Sequence, residues 1–383
     1  MRPPPCWPVR WTRPSTRPTW PTTRRAPRCR PSTTARSGRW PVAEPLAGAA
    51  GPDAPALVTI ELIEDAARRI AGQVVRTPLL PSPWPGLELK PENLQPIGAF
   101  KLRGAVTALS RLDPDVRAGG VLAHSSGNHA QAVAWAARSY GIDAHIVIPD
   151  NAPARKVEAT RDLGATVELV PVTQRFSRPA ELAAQTGKPV IPPFDDADVI
   201  SGQGTIGLEI AEDAPDVAVV LVPVSGGGLI SGVAAAITAR CPDAVVIGVE
   251  PELAGDAAES LRTGRRVAWE PAATARTMAD GLRTFSIGEL PWRHISTQVH
   301  DIVTVTEDEI ADTTRRLLLE ARLVAEPSGA VAAAAFLHHR DRLPPGRTVA
   351  VVSGGNIDPT VLRTLLAGEP PAGPRIAPPE VTS

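Results

Sequence analysis

Cysteine is scarce in this chain. Cys6, Cys29 and Cys241 are its only three in 383 residues, and they have no metal-ligand spacing. An odd, sparse set builds no disulfide framework, so a reducing cytoplasm is the expected location. An excess of one charge is also missing. Forty basic and 41 acidic residues leave a formal net charge of −1, which argues against a nucleic-acid partner. No apolar run reaches about 18 residues, so no membrane span is expected. The length is enough for a large core and for two domains.

The first 50 residues lack lysine and hold one acid, Glu44, against ten arginines. Trp7, Trp11, Trp20 and Trp40 stand among Pro3, Pro4, Pro5, Pro8, Pro14, Pro18 and Pro21. Neither a helical nor an alternating period survives there. Such a segment buries too little apolar area to offset its ordering entropy. It has no apolar h-region of a secretory signal. A basic nucleic-acid arm and a transit peptide are open readings; the preferred one is a disordered Arg/Pro-rich extension over residues 1–51 that precedes the native start. The Pro-rich residues 371–383 are expected to be a disordered tail.

From Thr59 the pattern becomes globular. Thr59 can cap a helix with Ile60, Ile63, Ala67 and Ile70 on one face. Strands are expected over 87–90, 121–123, 143–148, 166–170, 189–191, 217–224, 244–248, 301–305 and 348–352. Helices are expected over 102–112, 152–163, 179–186 and 205–213, and Ala130, Val133, Ala134 and Ala137 make a further helix face. Thr306 with Glu309 reads as a capping box. This alternation implies an α/β fold with helices packed on parallel sheet.

Lys101 stands in an unusual setting. Phe100 and Leu102 flank it, and Gly98, Ala99, Gly104 and Ala105 add almost no side-chain bulk. A lysine that loses hydration has a lower pKa and more neutral amine, as a Schiff-base lysine needs. Taken alone, the segment fits a solvated helix-start lysine slightly better.

Two polar or glycine-rich turns follow buried strands. His124-Ser125-Ser126-Gly127-Asn128-His129 sits at a helix N-terminus, where free N–H groups suit a carboxylate. A capped loop, with Ser125 or Ser126 as N-cap, is the simpler use of such residues. Ser225-Gly226-Gly227-Gly228-Leu229 then joins an apolar strand to a helix of small residues, a geometry that presents N–H groups to a phosphate. A dinucleotide fold is nearly as good a reading of that segment. It lacks the third glycine, since Ser231 takes that place, but Glu250 lies about 20 residues on, as a ribose-binding acid would. Glu250 and Asp256 flank a turn that could offer the Ala254 carbonyl to a hard cation, or they are two surface acids.

The GAFKLRGA segment around Lys101 resembles the cofactor-lysine segment of the fold-type II pyridoxal-phosphate (PLP) enzymes, in the threonine dehydratase and serine racemase branch. Ser125–His129 and Ser225–Leu229 match that branch's SSGNH and SGGGL segments, and the likeness is nearly continuous over residues 58–366. Ala99 departs from it, since the family usually has serine there. The resemblance implies an α/β fold similar to the tryptophan synthase β-subunit, with two open, twisted, mostly parallel-sheet domains and PLP in the cleft. The large domain would be residues 52–114 plus 196–370, and the small one residues 115–195.

The resemblance also implies roles. Lys101 carries PLP and later acts as base, beside Phe100. Asn128 bonds the ring oxygen, and Ser225, Gly226, Gly227, Gly228 and Leu229 hold the phosphate. Glu326 lies near the ring, and Ser353 bonds the pyridine nitrogen. Ser125, Ser126, Asn128 and His129 hold the amino-acid substrate. Ser126 corresponds to the second acid/base of serine racemases. Glu250, Ala254 and Asp256 match the Mg²⁺ or Ca²⁺ ligands of metal-binding members. The implied activity is an ammonia-lyase acting on L-threonine or L-serine, giving 2-oxobutanoate or pyruvate and ammonia, in a homodimer. A serine racemase, a hydroxyaspartate ammonia-lyase and a non-catalytic PLP-binding paralogue are the alternatives.

Overall fold

Short, largely apolar segments build two sheets. In the computed structural model, which describes residues 56–368, the strands are β1 (Leu80–Pro81), β2 (Leu87–Pro91), β3 (Val121–His124), β4 (Ala144–Pro149), β5 (Thr166–Val170), β6 (Val219–Pro223), β7 (Val245–Pro251), β8 (Asp301–Val305) and β9 (Thr348–Val352). The large sheet has the order β1-β2-β9-β6-β7-β8, and the small one β3-β4-β5. Only β1 runs antiparallel to its neighbour. Both sheets belong to one compact unit. The expected disordered ends, residues 1–51 and 371–383, lie outside the described residues.

The helices are α1 (Ile60–Ile70), α2 (Lys101–Arg111), α3 (Pro114–Ala118), α4 (Asn128–Ser139), α5 (Ala154–Asp162), α6 (Ser177–Thr186), α7 (Ala197–Asp213), α8 (Gly228–Arg240), α9 (Asp256–Thr263), α10 (Pro271–Thr274), α11 (Glu289–Gln298), α12 (Glu307–Leu319), α13 (Pro327–His338) and α14 (Pro359–Leu366). None among the described residues is long and apolar enough to cross a membrane.

Successive residues of one strand serve opposite faces. Val219 and Leu221 of β6, with Ala350 and Val352 of β9, pack against the alanine-rich α13. Val220 and Val222, with Val349 and Val351, pack against α8. Helices thus cover both faces, which is why these strands are apolar throughout. The small sheet repeats the pattern. Val121, Ala123, Ile146 and Ile148 face α2 and α4, while Leu122 and Val147 face Leu182 of α6.

Four expectations need correction. Thr59 stands at the N-cap of α1, but its side chain makes no capping hydrogen bond. Residues 189–191 form no strand; a single bridge joins Val190 to Leu122. Helix α7 begins eight residues before the expected 205, because Asp196 caps it, accepting from the N–H groups of Asp198 and Val199 at 2.9 Å. Its glycines let neighbouring backbones approach: a Cβ at Gly207 would stand 2.8 Å from the Val233 carbonyl of α8. Neither Ser125 nor Ser126 caps α4, whose N-cap is Gly127.

Candidate active site

Four helix N-termini and the end of β9 supply the expected residues. Lys101 is the first residue of α2, Asn128 of α4 and Gly228 of α8, and Glu326 is the N-cap of α13. None of these four ends carries a side-chain cap. Their first N–H groups lack intrahelical partners, and the positive ends of the helix dipoles favour an anionic ligand.

The lysine and serine segments are stapled together. Phe100 N–H donates to the Ser353 carbonyl at 3.0 Å, and Gly355 N–H to the Gly98 carbonyl at 2.9 Å. Ala99 is fully buried and bridged to Gly354. Lys101 is half-buried, and its Nζ donates to the Pro193 carbonyl at 2.5 Å. Its ammonium lies 5.1 Å from the centre of the Phe100 ring. Among the described residues no carboxylate pairs with it, and burial lowers its pKa to about 8.

The glycine loop is closed from behind. Gly227 has φ +92°, a conformation that other residues adopt with strain. A Cβ at Gly226 or Gly228 would collide with Phe194. Ser225 Oγ accepts from Thr284 N–H at 3.3 Å. Leu229 is buried in the core beside Ile230. The same Phe194 segment reaches further. Asp195 accepts from Glu289 and Leu290 N–H at 2.9 and 3.0 Å, which fixes the start of α11. Pro193, Phe194 and Asp195 therefore touch the lysine, the glycine loop and a third helix, and no sequence motif marked them.

Asn128 Nδ2 donates to Glu326 Oε1 at 2.7 Å. Glu326 is buried, and burial first, then the charge of Asp280, pushes its pKa up to about 7. Ser353 Oγ donates to the Ser328 carbonyl at 3.4 Å, a long bond. Ser125 Oγ accepts from Gly127 N–H at 3.1 Å, and Ser126 is exposed. His129 is buried instead, with Nε2 on the Ile191 carbonyl at 2.9 Å. Burial, then the nearby Lys101 charge, lowers its pKa to about 3, so it is neutral.

Glu250 cannot bind a ribose. It is fully buried, and its oxygens accept from Ala257 and Ala258 N–H at 3.3 and 2.8 Å. This removes the dinucleotide reading of the glycine loop. Asp256 is fully buried too, and neither of its oxygens has a partner. Burial and the Asp256 charge raise the Glu250 pKa well above its usual value; burial raises that of Asp256 to about 7. Among the described residues no three His, Cys, Asp or Glu side chains gather as a metal site.

The donor set fits PLP. Uncapped helix ends at α4 and α8 suit a carboxylate and a phosphate, a hydroxyl ends β9, an amide lies between, and Lys101 supplies an amine with a lowered pKa.

A family model described as pyridoxal-phosphate dependent enzyme matches residues 70–354. The L-threonine ammonia-lyase of Thermotoga maritima is 44% identical over 321 residues, 81% of this chain and 78% of that protein. The L-threo-3-hydroxyaspartate ammonia-lyase of Saccharomyces cerevisiae is 38% identical over 316 residues, 80% of this chain and 95% of that protein. The solved structure of maize serine racemase superposes with a TM-score of 0.76 at 36% identity, covering 82% of this chain and 98% of that one.

Proposed function

The chain belongs to the pyridoxal-phosphate-dependent enzymes, and from that premise we propose an ammonia-lyase that converts L-threonine or L-serine to 2-oxobutanoate or pyruvate and ammonia. The observation that carries this reading is the Lys101 amine, lowered to about 8 among uncapped helix ends. The reading places the cleft between a small domain, residues 115–195, and a large one made of 52–114 and 196–370.

Lys101 would hold PLP covalently, with Phe100 beside it. The α8 N-terminus and Ser225–Leu229 would hold the phosphate, Asn128 the ring oxygen and Ser353 the ring nitrogen. When bound, PLP supplies an electron sink for the pair left at the substrate α-carbon. The α4 N-terminus, with Ser125 and Ser126, orients the substrate carboxylate. The substrate amine would take the place of Lys101 on the cofactor, and the neutral Lys101 amine so released takes the α-proton. The β-hydroxyl receives a proton, the one Lys101 has just taken or one from a nearby acid, and leaves as water. The enamine that results becomes an imine, and water splits it into the 2-oxo acid and ammonia. His129 would act from behind, tying α4 to the Ile191 backbone near Pro193.

The test is an absorbance scan of the purified protein, then addition of L-threonine and L-serine with detection of 2-oxo acid and D-serine. Visible cofactor absorbance with 2-oxo acid supports the lyase. D-serine beside pyruvate moves the weight to racemisation, for which exposed Ser126 is the second proton carrier. Failure to take up PLP would sink the assignment.

A second reading has its own observation. Arg178 is tied to Glu168 at 2.7 Å and Glu181 at 3.2 Å, but burial is the one influence on Arg175, and it lowers the pKa. The Arg175 guanidinium lies 4.2 Å from the Phe176 ring centre. Phe176 packs edge-on to His124, at the end of β3, and to Phe285, beside the Thr284 that bonds Ser225. A cation with no counter-ion among the described residues, set between the Ser125 loop and the phosphate loop, favours a second carboxylate on the substrate, as in 3-hydroxyaspartate. Arg175→Ala should lower kcat/KM for L-threo-3-hydroxyaspartate about 30-fold or more and leave L-serine within about threefold. Equal losses for both would reject this reading.

The reading also places a hard cation at Glu250, the Ala254 carbonyl and Asp256. Two buried carboxylates, one without partners, are unfavourable unless a proton or a cation joins them. Saturating Mg²⁺ or Ca²⁺, at about 100 times its Kd, should add about 2.7 kcal/mol of stability. The rise in Tm should vanish in Asp256→Asn; an unchanged rise would place the ion elsewhere.

A further inference from the structure

Asn356 closes the Ser353–Asn356 turn, and nothing above gives it work. Its Nδ2 donates to the Ile97 carbonyl at 2.8 Å and to Asn128 Oδ1 at 2.8 Å. Asn128 Nδ2 donates onward to Glu326 Oε1 at 2.7 Å. Three side chains from three separate segments thus form one line that starts at a backbone carbonyl.

That carbonyl sets the direction of the whole line. It can only accept, so Asn356 must turn its amide NH₂ toward Ile97. The second hydrogen of the same NH₂ needs an acceptor. The atom of Asn128 that faces it must therefore be Oδ1, which leaves Asn128 Nδ2 on the other side. One Nδ2 hydrogen goes to Glu326, and the other is left over. Turning Asn128 over would set its NH₂ group against that of Asn356, two donors with no acceptor between them, and a protonated Glu326 could not repair that contact.

The surroundings leave the line no slack. A Cβ at Gly98 would come within 2.5 Å of Asn356 Oδ1. One at Gly354 would collide with Glu326 Oε1 and stand 3.2 Å from Asn128 Nδ2. Gly98 has φ +72°, so the backbone beneath Asn356 is itself fixed in the left-handed region.

We propose that Asn356 is a positioning residue: anchored on the Ile97 carbonyl, it holds the Asn128 amide so that a hydrogen-bond donor, not an acceptor, is offered to the oxygen on the cofactor ring. The inference rests on the PLP reading above. Asn356 acts through Asn128 and contributes nothing to the cofactor by itself.

A double-mutant cycle separates that role from a structural one. Cofactor-free wild type, Asn356→Ala, Asn128→Ala and the double variant are titrated with PLP and followed by visible and near-ultraviolet absorbance. Asn356→Ala should weaken PLP about tenfold. The ratio of visible to near-ultraviolet absorbance should also fall, because the visible form carries negative charge on the ring oxygen and needs the donor. In the Asn128→Ala background the same substitution should change Kd by less than about twofold. Equal losses in both backgrounds, or an unchanged absorbance ratio in Asn356→Ala, would overturn the inference. If Asn356→Ala does not fold, Asn356→Asp keeps the shape and presents acceptors alone; a wild-type absorbance ratio there would overturn it as well. Wild type that takes up no PLP would instead remove the cofactor reading, so the two failures are distinct.

Discussion

Lys101→Ala should lower product formation by at least about 10³-fold, because one amine serves twice, as the covalent anchor and as the base. The geometry makes the neutral amine available. Nζ has the Pro193 carbonyl and the Phe100 ring as neighbours, and burial holds its pKa near 8 against the usual 10.5. Lowering a lysine's pKa favours its neutral form. At pH 7.5 about a quarter of such amines are neutral, against about 0.1% for an ordinary lysine. The rate at which cofactor-free protein captures PLP should therefore rise with pH, with a midpoint near 8, and level off above it. A midpoint near 10.5 would mean that the side chain is solvated. Lys101→Arg keeps the cation but supplies no neutral amine, so it should be as inactive as alanine. Activity within tenfold of wild type in either variant would mean that another group takes the proton. Borohydride should fix the cofactor to wild type and to neither variant.

Local signals were legible, and long-range ones were not. Strands β5, β8 and β9 begin and end where expected. Thr306 and Glu309 make the expected capping box, a signal contained in four residues. The lysine segment, the Ser225 loop and Ser353 were legible through their resemblance to the segments of a known family; taken alone, the first two leave other readings open. Helix α7 was cut short in the sequence because Gly202 and Gly204 locally disfavour helix. Close approach to α2 and α8, which no local pattern shows, outweighs that preference. Pro193, Phe194 and Asp195 carry no local signal of a role at the site. Their roles come from Lys101, Gly226 and Leu290, each roughly 30 to 100 residues away. The direction in which Asn356 bonds depends on Ile97 and Asn128, both far from it in the chain.

The largest stability effect should come from a charge network two residues beyond the lysine. Arg103 of α2 grips Glu92 through Nε and Nη2, both at 2.8 Å, and Glu209 of α7 through Nη1 at 2.6 Å. Lys90 of β2 reaches Glu209 and the Thr77 carbonyl, each at 2.6 Å. The side chains of Lys90, Glu92 and Arg103 are fully buried, and that of Glu209 is 12% exposed. Two cations and two anions balance, and Thr77, Gln95 and Thr205 fill remaining positions. Burial alone would push the Glu92 carboxyl up; Arg103, Thr77 and Lys90 reverse this and hold it below its usual 4.5. Glu92→Leu leaves Arg103 short of a partner inside the protein and should cost about 3–5 kcal/mol, read as a fall in the urea midpoint. Pairing it with Arg103→Met removes the stranded charge and should recover part of that loss, since a buried ion pair is often replaceable by apolar residues of similar volume. The sign with pH follows from the lowered pKa. The contribution of Glu92 is complete above its unfolded value and is lost as pH falls through the folded one, so Glu92→Leu should flatten the acid limb of stability. A single substitution costing less than about 1 kcal/mol would mean that water already reaches the network. A full loss would also displace the start of α2, and PLP capture by Lys101 should then weaken in step with the urea midpoint.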